Sequence, residues 1–134
     1  METIKNKLFR LRMILCCGML LACSDPYASY DPAGFDQLLR SDSTIQLVDV
    51  RTPEEYAAGA IPGAANIDVK QPDFLLRLDS ILDPAYPVAV YCKGGVRSRK
   101  AADALVQKGY TVYNLDKGYD SWIRYRQKTA PEKE

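Results

Sequence analysis

The apolar run PVAVYC at residues 87–92 limits the fold more than any other stretch of the chain. An unbroken run of this kind indicates a strand buried on both faces, as strands are in parallel sheets covered by helices. Three more strands are predicted at 44–50, 65–67 and 110–115. Because helical patterns alternate with these strands, we expect an α/β fold with a central parallel sheet and helices on both faces.

Capping signals place the helices between the strands. Asp31 followed by a proline marks one helix start, and Thr52 with Glu55 forms a capping box at another. Helices are predicted over residues 31–41, 52–59, 72–82, 97–108 and 118–126. Ligands of such sheets bind outside the carboxyl ends of the strands, so Cys92, which ends the apolar run, is a candidate site residue.

The first 22 residues are typical of an export signal. A basic opening precedes the apolar stretch MILCCGMLLA, which is too short to span a bilayer. The segment ends in Leu-Leu-Ala-Cys at 20–23, which resembles the lipobox of bacterial lipoproteins. That resemblance implies cleavage before Cys23 and acylation of this cysteine. The alternatives are ordinary signal cleavage nearby and an N-terminal anchor that stays uncut.

The lipobox sets the expected domain boundaries and the expected location. We expect a lipoprotein signal peptide at 1–22, a tether at 23–29, one domain at 30–127 and a flexible tail at 128–134. The protein would be lipid-anchored in the bacterial cell membrane or outer membrane and would face the periplasm. Several acyl chains give stable attachment, whereas a single chain is marginal.

Charge and residue content exclude several classes of function. The chain has 134 residues and a net charge of +1, and removal of residues 1–22 leaves 14 basic and 16 acidic residues. This balance argues against nucleic-acid binding, which usually needs a strong basic excess. The sequence contains no histidine, which excludes a Cys–His or Ser–His catalytic pair. We expect a monomer with no metal and no organic cofactor.

The distribution of cysteines singles out Cys92. Cys16 and Cys17 leave with the signal and Cys23 is consumed by the lipid, so Cys92 has no disulfide partner inside the mature chain. A lone thiol in an exported domain therefore requires a chemical explanation.

The loop after Cys92 has the composition of an anion-binding concavity. Gly94 and Gly95 allow the backbone to turn several N–H groups toward one point, and a helix that begins near Arg97 adds the positive end of its dipole. A thiolate aimed at this point is stabilised and becomes a nucleophile. The competing interpretation is a small buried cysteine that ends a strand, with glycines needed only for the turn.

Further cations follow in the same stretch and add positive potential. They are Lys93, Arg99 and Lys100. Taken one by one, each is better explained as a solvated surface charge than as a substrate ligand.

Three segments in order resemble the rhodanese family, over residues 30–127. CKGGVRS at 92–98 matches the active loop of that family, LVDVRTPEEYAAGAIPGAANI at 47–67 matches its first signature, and LDKGYDSWIR at 115–124 resembles its closing segment. The resemblance implies a single rhodanese-like α/β domain with a parallel sheet.

By this resemblance the protein is a sulfurtransferase that takes sulfur from thiosulfate or a polysulfide as a persulfide on Cys92 and passes it to cyanide or a thiol. Arg97 would act with Cys92 by orienting the loop and offsetting negative charge. The substrate-binding residues would be Lys93, Gly94, Gly95, Val96 and Ser98. Asp49 and Arg51 would brace the site from the neighbouring strand end, or form only a surface ion pair or loop anchor.

Loop length favours sulfur over oxyanion chemistry. Four residues separate Cys92 from Arg97, whereas phosphatase and arsenate-reductase relatives of this fold have one more and so a wider concavity. Ala60 stands where the family commonly has histidine, which leaves the local hydrogen bonding open. Lys117 replaces a frequent glycine, a change expected to be absorbed at a surface turn. The alternative function is a persulfide carrier without turnover, or a sulfide- or redox-sensing binding module, since both need the same loop.

Overall fold

The computed structural model of the chain describes residues 25–131, in which five strands alternate with five helices. The strands are β1 Ala28–Tyr30, β2 Gln46–Asp49, β3 Ala65–Asn66, β4 Val88–Tyr91 and β5 Val112–Leu115. The helices are α1 Pro32–Ser41, α2 Pro53–Ala57, α3 Phe74–Ile81, α4 Val96–Gln107 and α5 Gly118–Thr129.

All five strands run parallel in one sheet with the order β1-β5-β4-β2-β3. Asp49 at the end of β2 is paired in register with Tyr91 at the end of β4. Because parallel strands end at one edge, the residues that follow β2 and β4 meet there. The chain therefore leaves the sheet at Cys92, beside the segment that contains Arg51.

Alternate residues of the central strand β4 enter two separate cores. Val88, Val90 and Cys92 face the core that includes α3 and α4. Ala89 and Tyr91 face the core that includes α1 and α5. Burial on both faces explains why this strand is apolar throughout, and it confirms the predicted parallel sheet with helices on both sides.

The structure differs from the sequence-based boundaries at both ends of the domain. Ala28–Tyr30, most of it inside the predicted tether at 23–29, forms β1 and pairs with β5. This short edge strand is half-exposed and lacks apolar alternation, so only its partner in the sheet identifies it. At the other end, α5 continues to Thr129, two residues into the predicted tail at 128–134.

The predicted signal peptide, Cys23 and the last three residues of the chain, 132–134, lie outside the described residues. Among the helices within 25–131, none is both long enough and apolar enough to cross a membrane.

Candidate active site

The Cys92 thiol lies directly after β4 and beneath the loop that leads into α4. Cys92 is only 1% exposed, and the backbone N–H of Gly95 donates a hydrogen bond to its Sγ at 3.1 Å. Helix α4 begins at Val96, directly after Gly95, so the end of the helix that carries unpaired N–H groups follows the residue that contacts the sulfur. The sequence prediction of a cysteine at a strand end, followed by a glycine turn and a helix start, matches this geometry.

Gly95 gives the loop its sharp turn. Its φ of +103° lies in the left-handed region, and a Cβ there would come within 3.2 Å of the backbone nitrogen of Lys117. The buried Ser98 hydroxyl lies 3.5 Å from the Cys92 sulfur and donates to the carbonyl of Gly95 at 3.2 Å. Gly95 and Ser98 are thus the two predicted substrate-binding residues that contact the sulfur.

The N-terminus of α5 holds the start of the cysteine loop. The backbone N–H groups of Tyr119 and Asp120 donate to the carbonyls of Cys92 and Lys93, at 2.8 and 3.1 Å. Gly118 lies against the same two carbonyls, and a Cβ there would approach the oxygen of Lys93 to 2.5 Å. No side chain fits between α5 and the loop, so this glycine is required by close backbone approach.

Lys117 lies at an exposed turn, as expected, but its backbone conformation is strained. It adopts a φ of +58°, a left-handed conformation in which glycine is favoured and other residues are strained. Its backbone nitrogen packs against Gly95, so the conformation also shapes the cysteine loop.

Arg97 is directed to Glu55 on α2. Its two terminal nitrogens donate to the two carboxylate oxygens of Glu55, at 2.7 and 2.8 Å. Glu55 Oε2 also accepts from the backbone N–H of Thr52 at 3.0 Å, which completes the predicted capping box. The guanidinium charge is therefore compensated by a carboxylate, a partner that the sequence analysis did not assign.

The Arg97 guanidinium lowers the pKa of Glu55 to about 2, chiefly through these hydrogen bonds. The capping box identified Glu55 in the sequence. Its ion pair with Arg97, however, joins residues that are 42 positions apart in the chain. Nothing in the local pattern indicates that contact.

Asp49 and Arg51 form a buried ion pair under the site. Arg51 donates from Nε to Asp49 Oδ1 at 3.0 Å and from Nη2 to Oδ2 at 2.6 Å, and Nη2 also donates to the carbonyl of Gly59 at 2.6 Å. Asp49 is fully buried and Arg51 is 4% exposed. Of the two interpretations left open, the surface ion pair does not match this burial.

Two tyrosines that the sequence analysis did not assign to the site complete this buried cluster. The Arg51 guanidinium lies 4.3 Å from the ring centre of Tyr119 and 5.7 Å from that of Tyr91. The Tyr91 hydroxyl accepts from the backbone N–H of Ile61 at 3.0 Å. Burial, with a contribution from the nearby Asp49 carboxylate, raises the pKa of Tyr91 far above its ordinary value, so the phenol stays neutral.

The other predicted loop residues lie at the rim. Lys93, Gly94 and Val96 are exposed, with Val96 at 75%. Arg99 is exposed and donates from Nε to the carbonyl of Gly95 at 3.1 Å, and Lys100 is exposed beside it. Within residues 25–131 no group of three histidine, cysteine or acidic side chains is arranged to hold a metal ion.

The family model of the rhodanese-like domain matches residues 31–125. The chain belongs to the rhodanese family. This match includes both strand ends of the site, the cysteine loop and the first turns of α5, so every residue of the site described here falls inside the rhodanese domain.

Individual rhodanese relatives resemble the chain over most of this domain. It is 37% identical to the thiosulfate sulfurtransferase GlpE of Pseudomonas paraeruginosa over 101 residues, which are 74% of this chain and 86% of that protein. It is 41% identical to the protein YqhL of Bacillus subtilis over 78 residues, 58% of this chain and 60% of the relative's length. A solved rhodanese-like domain protein from Staphylococcus aureus superposes with a TM-score of 0.63 at 32% identity, covering 71% of this chain and 90% of that one.

Gly118→Ala should destabilise the domain by about 2–4 kcal/mol, because the new methyl group would collide with backbone atoms that cannot move away as a side chain can. Urea unfolding followed by circular dichroism measures the change. Gly94→Ala is the matched control, since nothing lies within 4 Å of a Cβ at that position, and its stability should stay within about 0.5 kcal/mol of the original. Equal stabilities of the two variants would contradict the close approach of α5 to the loop.

The Glu55–Arg97 pair should make stability fall in acid. The pKa of Glu55 is lowered from 4.5 to about 2. The stabilisation of the folded state by its ionised carboxylate is therefore complete above pH 5 and is lost as the pH falls toward 2. Glu55→Gln keeps a capping side chain but removes the charge. At pH 7 it should lower the free energy of unfolding by about 1–2 kcal/mol, after allowance for solvent screening. Urea unfolding should show that the difference in the free energy of unfolding between the original chain and Glu55→Gln shrinks by more than half between pH 7 and pH 2.5. A difference that does not depend on pH would contradict the pairing.

Proposed function

We propose that this protein is a rhodanese-type sulfurtransferase in which Cys92 carries the transferred sulfur as a persulfide. The observation that supports this most directly is the Cys92 sulfur beneath a narrow loop, with the Gly95 N–H pointing at it and α4 beginning at the next residue. The sulfurtransferase activity named for the GlpE relative agrees with that geometry.

In the first half-reaction the Cys92 thiolate attacks the outer, sulfane sulfur of thiosulfate. A new S–S bond forms to Sγ while the old S–S bond breaks, and sulfite leaves with the electron pair of that bond. The terminal sulfur then carries a negative charge inside the loop. The N–H groups of the loop and of the first turn of α4 stabilise this charge as it develops.

In the second half-reaction a nucleophile such as cyanide attacks the terminal sulfur. The bond between that sulfur and Sγ breaks, its electron pair returns to Cys92 as the thiolate, and thiocyanate is released. The covalent intermediate divides one transfer into two steps and predicts ping-pong kinetics.

The source of positive charge differs from the expectation that assigned it to Arg97. Both Arg97 and Arg51 are compensated by carboxylates, so neither offers a free charge to an anionic donor. Lys93, Arg99 and Lys100 are exposed cations in the loop and the first turn of α4. We assign them to attraction of the anion toward the site, and the backbone N–H groups to binding of the transferred sulfur.

The size of the concavity supports sulfur as the transferred group. Four residues separate Cys92 from Arg97, one fewer than in the phosphatase and arsenate-reductase relatives of the fold, and this shorter loop favours a single sulfur atom over a tetrahedral oxyanion.

Cys92→Ser should abolish transfer, because an alcohol is a far weaker nucleophile than a thiolate and forms no persulfide. We expect the detergent-solubilised full chain to form thiocyanate from thiosulfate and cyanide, and the variant to form none above the uncatalysed rate. Mass spectrometry after thiosulfate treatment should show the mass of one added sulfur atom in the original chain and not in the variant.

Two other outcomes are informative. Sulfur loading without thiocyanate formation would favour a persulfide carrier or sensor over an enzyme. Failure of the Cys92 thiol to accept sulfur from thiosulfate or a polysulfide would contradict both functions.

We also propose that the mature chain is held on a membrane by acylation of Cys23 and faces the periplasm. The support is the Leu-Leu-Ala-Cys sequence at 20–23 after a basic and then apolar segment. Two or more acyl chains on this residue would make the attachment stable.

Cys23→Ala should prevent this attachment, because it removes the thiol to which the lipid would be attached. Fractionation of cells that express the full chain should find the original protein in the membrane pellet and the variant either soluble or unprocessed. A processed variant that stays in the membrane fraction would contradict the lipobox, without bearing on the chemistry at Cys92.

A further inference from the structure

The carbonyl of Gly95 lies where the cysteine loop passes into α4, and it accepts hydrogen bonds from three donors. The Ser98 hydroxyl donates at 3.2 Å, and Arg99 donates twice, from its backbone N–H at 3.4 Å and from its side-chain Nε at 3.1 Å. The first backbone hydrogen bond of the helix is thus long, and the Arg99 side chain supplies a shorter one. A charged donor also makes a stronger hydrogen bond than a neutral donor.

The direction of the Arg99 side chain explains how an exposed residue reaches this carbonyl. Side chains of an α-helix tilt toward its N-terminus, so the side chain of residue 99 extends over the turn that begins at Gly95. Nε is the guanidinium nitrogen nearest the backbone. It bonds to the loop while the terminal nitrogens stay in water, which agrees with the exposure of Arg99 and the burial of Gly95.

The Gly95 carbonyl belongs to the same peptide group as the N–H of Val96. A trans peptide group is planar, and its C=O and N–H point in opposite directions. The carbonyl points along α4 toward its donors, so the Val96 N–H points out of the N-terminus of the helix, on the side of the cysteine loop. A contact that fixes the carbonyl therefore also fixes this N–H.

The two glycines before α4 leave this peptide group free to rotate unless side chains hold it. Gly95 precedes the first helical residue, and it has neither a Cβ to restrict its backbone nor a side chain to cap the first turn. Gly94 has no atom within 4 Å of the position that a Cβ would take. The side chains of Ser98 and Arg99 are therefore the groups that fix the carbonyl.

We propose that Arg99 is a positioning residue for sulfur transfer, whose Nε–H holds the Gly95 carbonyl and thereby directs the Val96 N–H toward the sulfur that Cys92 accepts. This inference rests on the sulfurtransferase function proposed above. It gives Arg99 a role beyond attraction of the anion. Lys100 has no such role, because its exposed side chain makes no hydrogen bond or ion pair with another residue in the range 25–131.

Ser98 makes the Arg99 contact more important once Cys92 ionises. The hydroxyl oxygen of Ser98 is 3.5 Å from Sγ, and the thiol donates to it, which leaves the hydroxyl hydrogen for Gly95. A thiolate has no hydrogen to donate and accepts instead, so the Ser98 hydroxyl turns toward Sγ and releases the carbonyl. Arg99 is then the side chain that holds the peptide group while the new S–S bond forms.

Two substitutions of Arg99 separate the hydrogen bond from the charge. In Arg99→Gln the amide nitrogen stands as many bonds from the backbone as Nε does, so the donor is kept and the charge is lost. In Arg99→Met a methyl group takes that place, and both donor and charge are lost. Glutamine and methionine are both good helix formers. Lys100→Gln and Lys100→Met are the matched controls at the next exposed cation.

The rate of sulfur loading onto Cys92 is measured by rapid quenching and mass spectrometry of the detergent-solubilised full chain, over a range of thiosulfate concentrations. Loss of a whole N–H donor slows such reactions by about 100- to 1,000-fold and misdirection of one costs less, so at saturating thiosulfate Arg99→Met should load about tenfold more slowly than Arg99→Gln. The thiosulfate concentration at half-maximal rate should differ by less than about twofold, because the N–H acts on the charge that develops during transfer.

The two Lys100 variants should load at equal rates. Equal rates of the two Arg99 variants, a difference confined to the half-saturating concentration, or an equally large difference between the Lys100 variants would overturn the proposal.

Nuclear magnetic resonance of the ¹⁵N-labelled chain tests the contact without reference to catalysis. The amide resonance of Val96 responds to hydrogen bonding at the carbonyl before it, so it should shift in Arg99→Met and much less in Arg99→Gln. Equal shifts would overturn the proposed hold on the Gly95 carbonyl. An original chain that accepts no sulfur would remove the sulfurtransferase itself, whereas loading that is the same in both Arg99 variants would remove only the role of Arg99.

Discussion

The buried ion pair between Asp49 and Arg51 is the interaction on which the Cys92 edge of the sheet depends. Removing two charges from water is costly, and the cost is offset only when geometry and hydrogen bonds are nearly complete. Here the carboxylate accepts three side-chain hydrogen bonds from the guanidinium, which also donates to a backbone carbonyl and lies over two tyrosine rings. One of those rings, Tyr91, immediately precedes Cys92, so the pair fixes the point from which the cysteine loop departs.

Above this base, the loop is held by backbone contacts more than by side chains. The N-terminus of α5 donates to two loop carbonyls, and Gly118 allows the approach. The Glu55–Arg97 pair adds a second support, from α2. Because the two supports come from different helices, the loop is held in place before a substrate arrives. Such preorganisation is what stabilisation of a developing charge requires.

The sequence predicted the central features well where the local chemistry was unambiguous. The apolar run that ends in Cys92 indicated a doubly buried strand, and the glycine turn before a helix start favoured a thiol among N–H groups over a merely buried cysteine. It did not predict the partner of Arg97 or the tyrosines around Arg51, because these contacts join residues far apart in the chain. Strand β1 was missed for a related reason, since Ala28, Ser29 and Tyr30 are mostly exposed and form a strand only through pairing with β5.

The burial of the Cys92 thiol also determines which oxidation products it can form. A disulfide requires two Cα atoms about 4.4–6.8 Å apart, and a cysteine of another protein cannot come that close to a residue that is only 1% exposed beneath its loop. Small sulfur compounds face no such barrier. In an oxidising compartment, where exposed single thiols become trapped in mixed disulfides, this steric selection would keep the cysteine free without any partner cysteine to protect it.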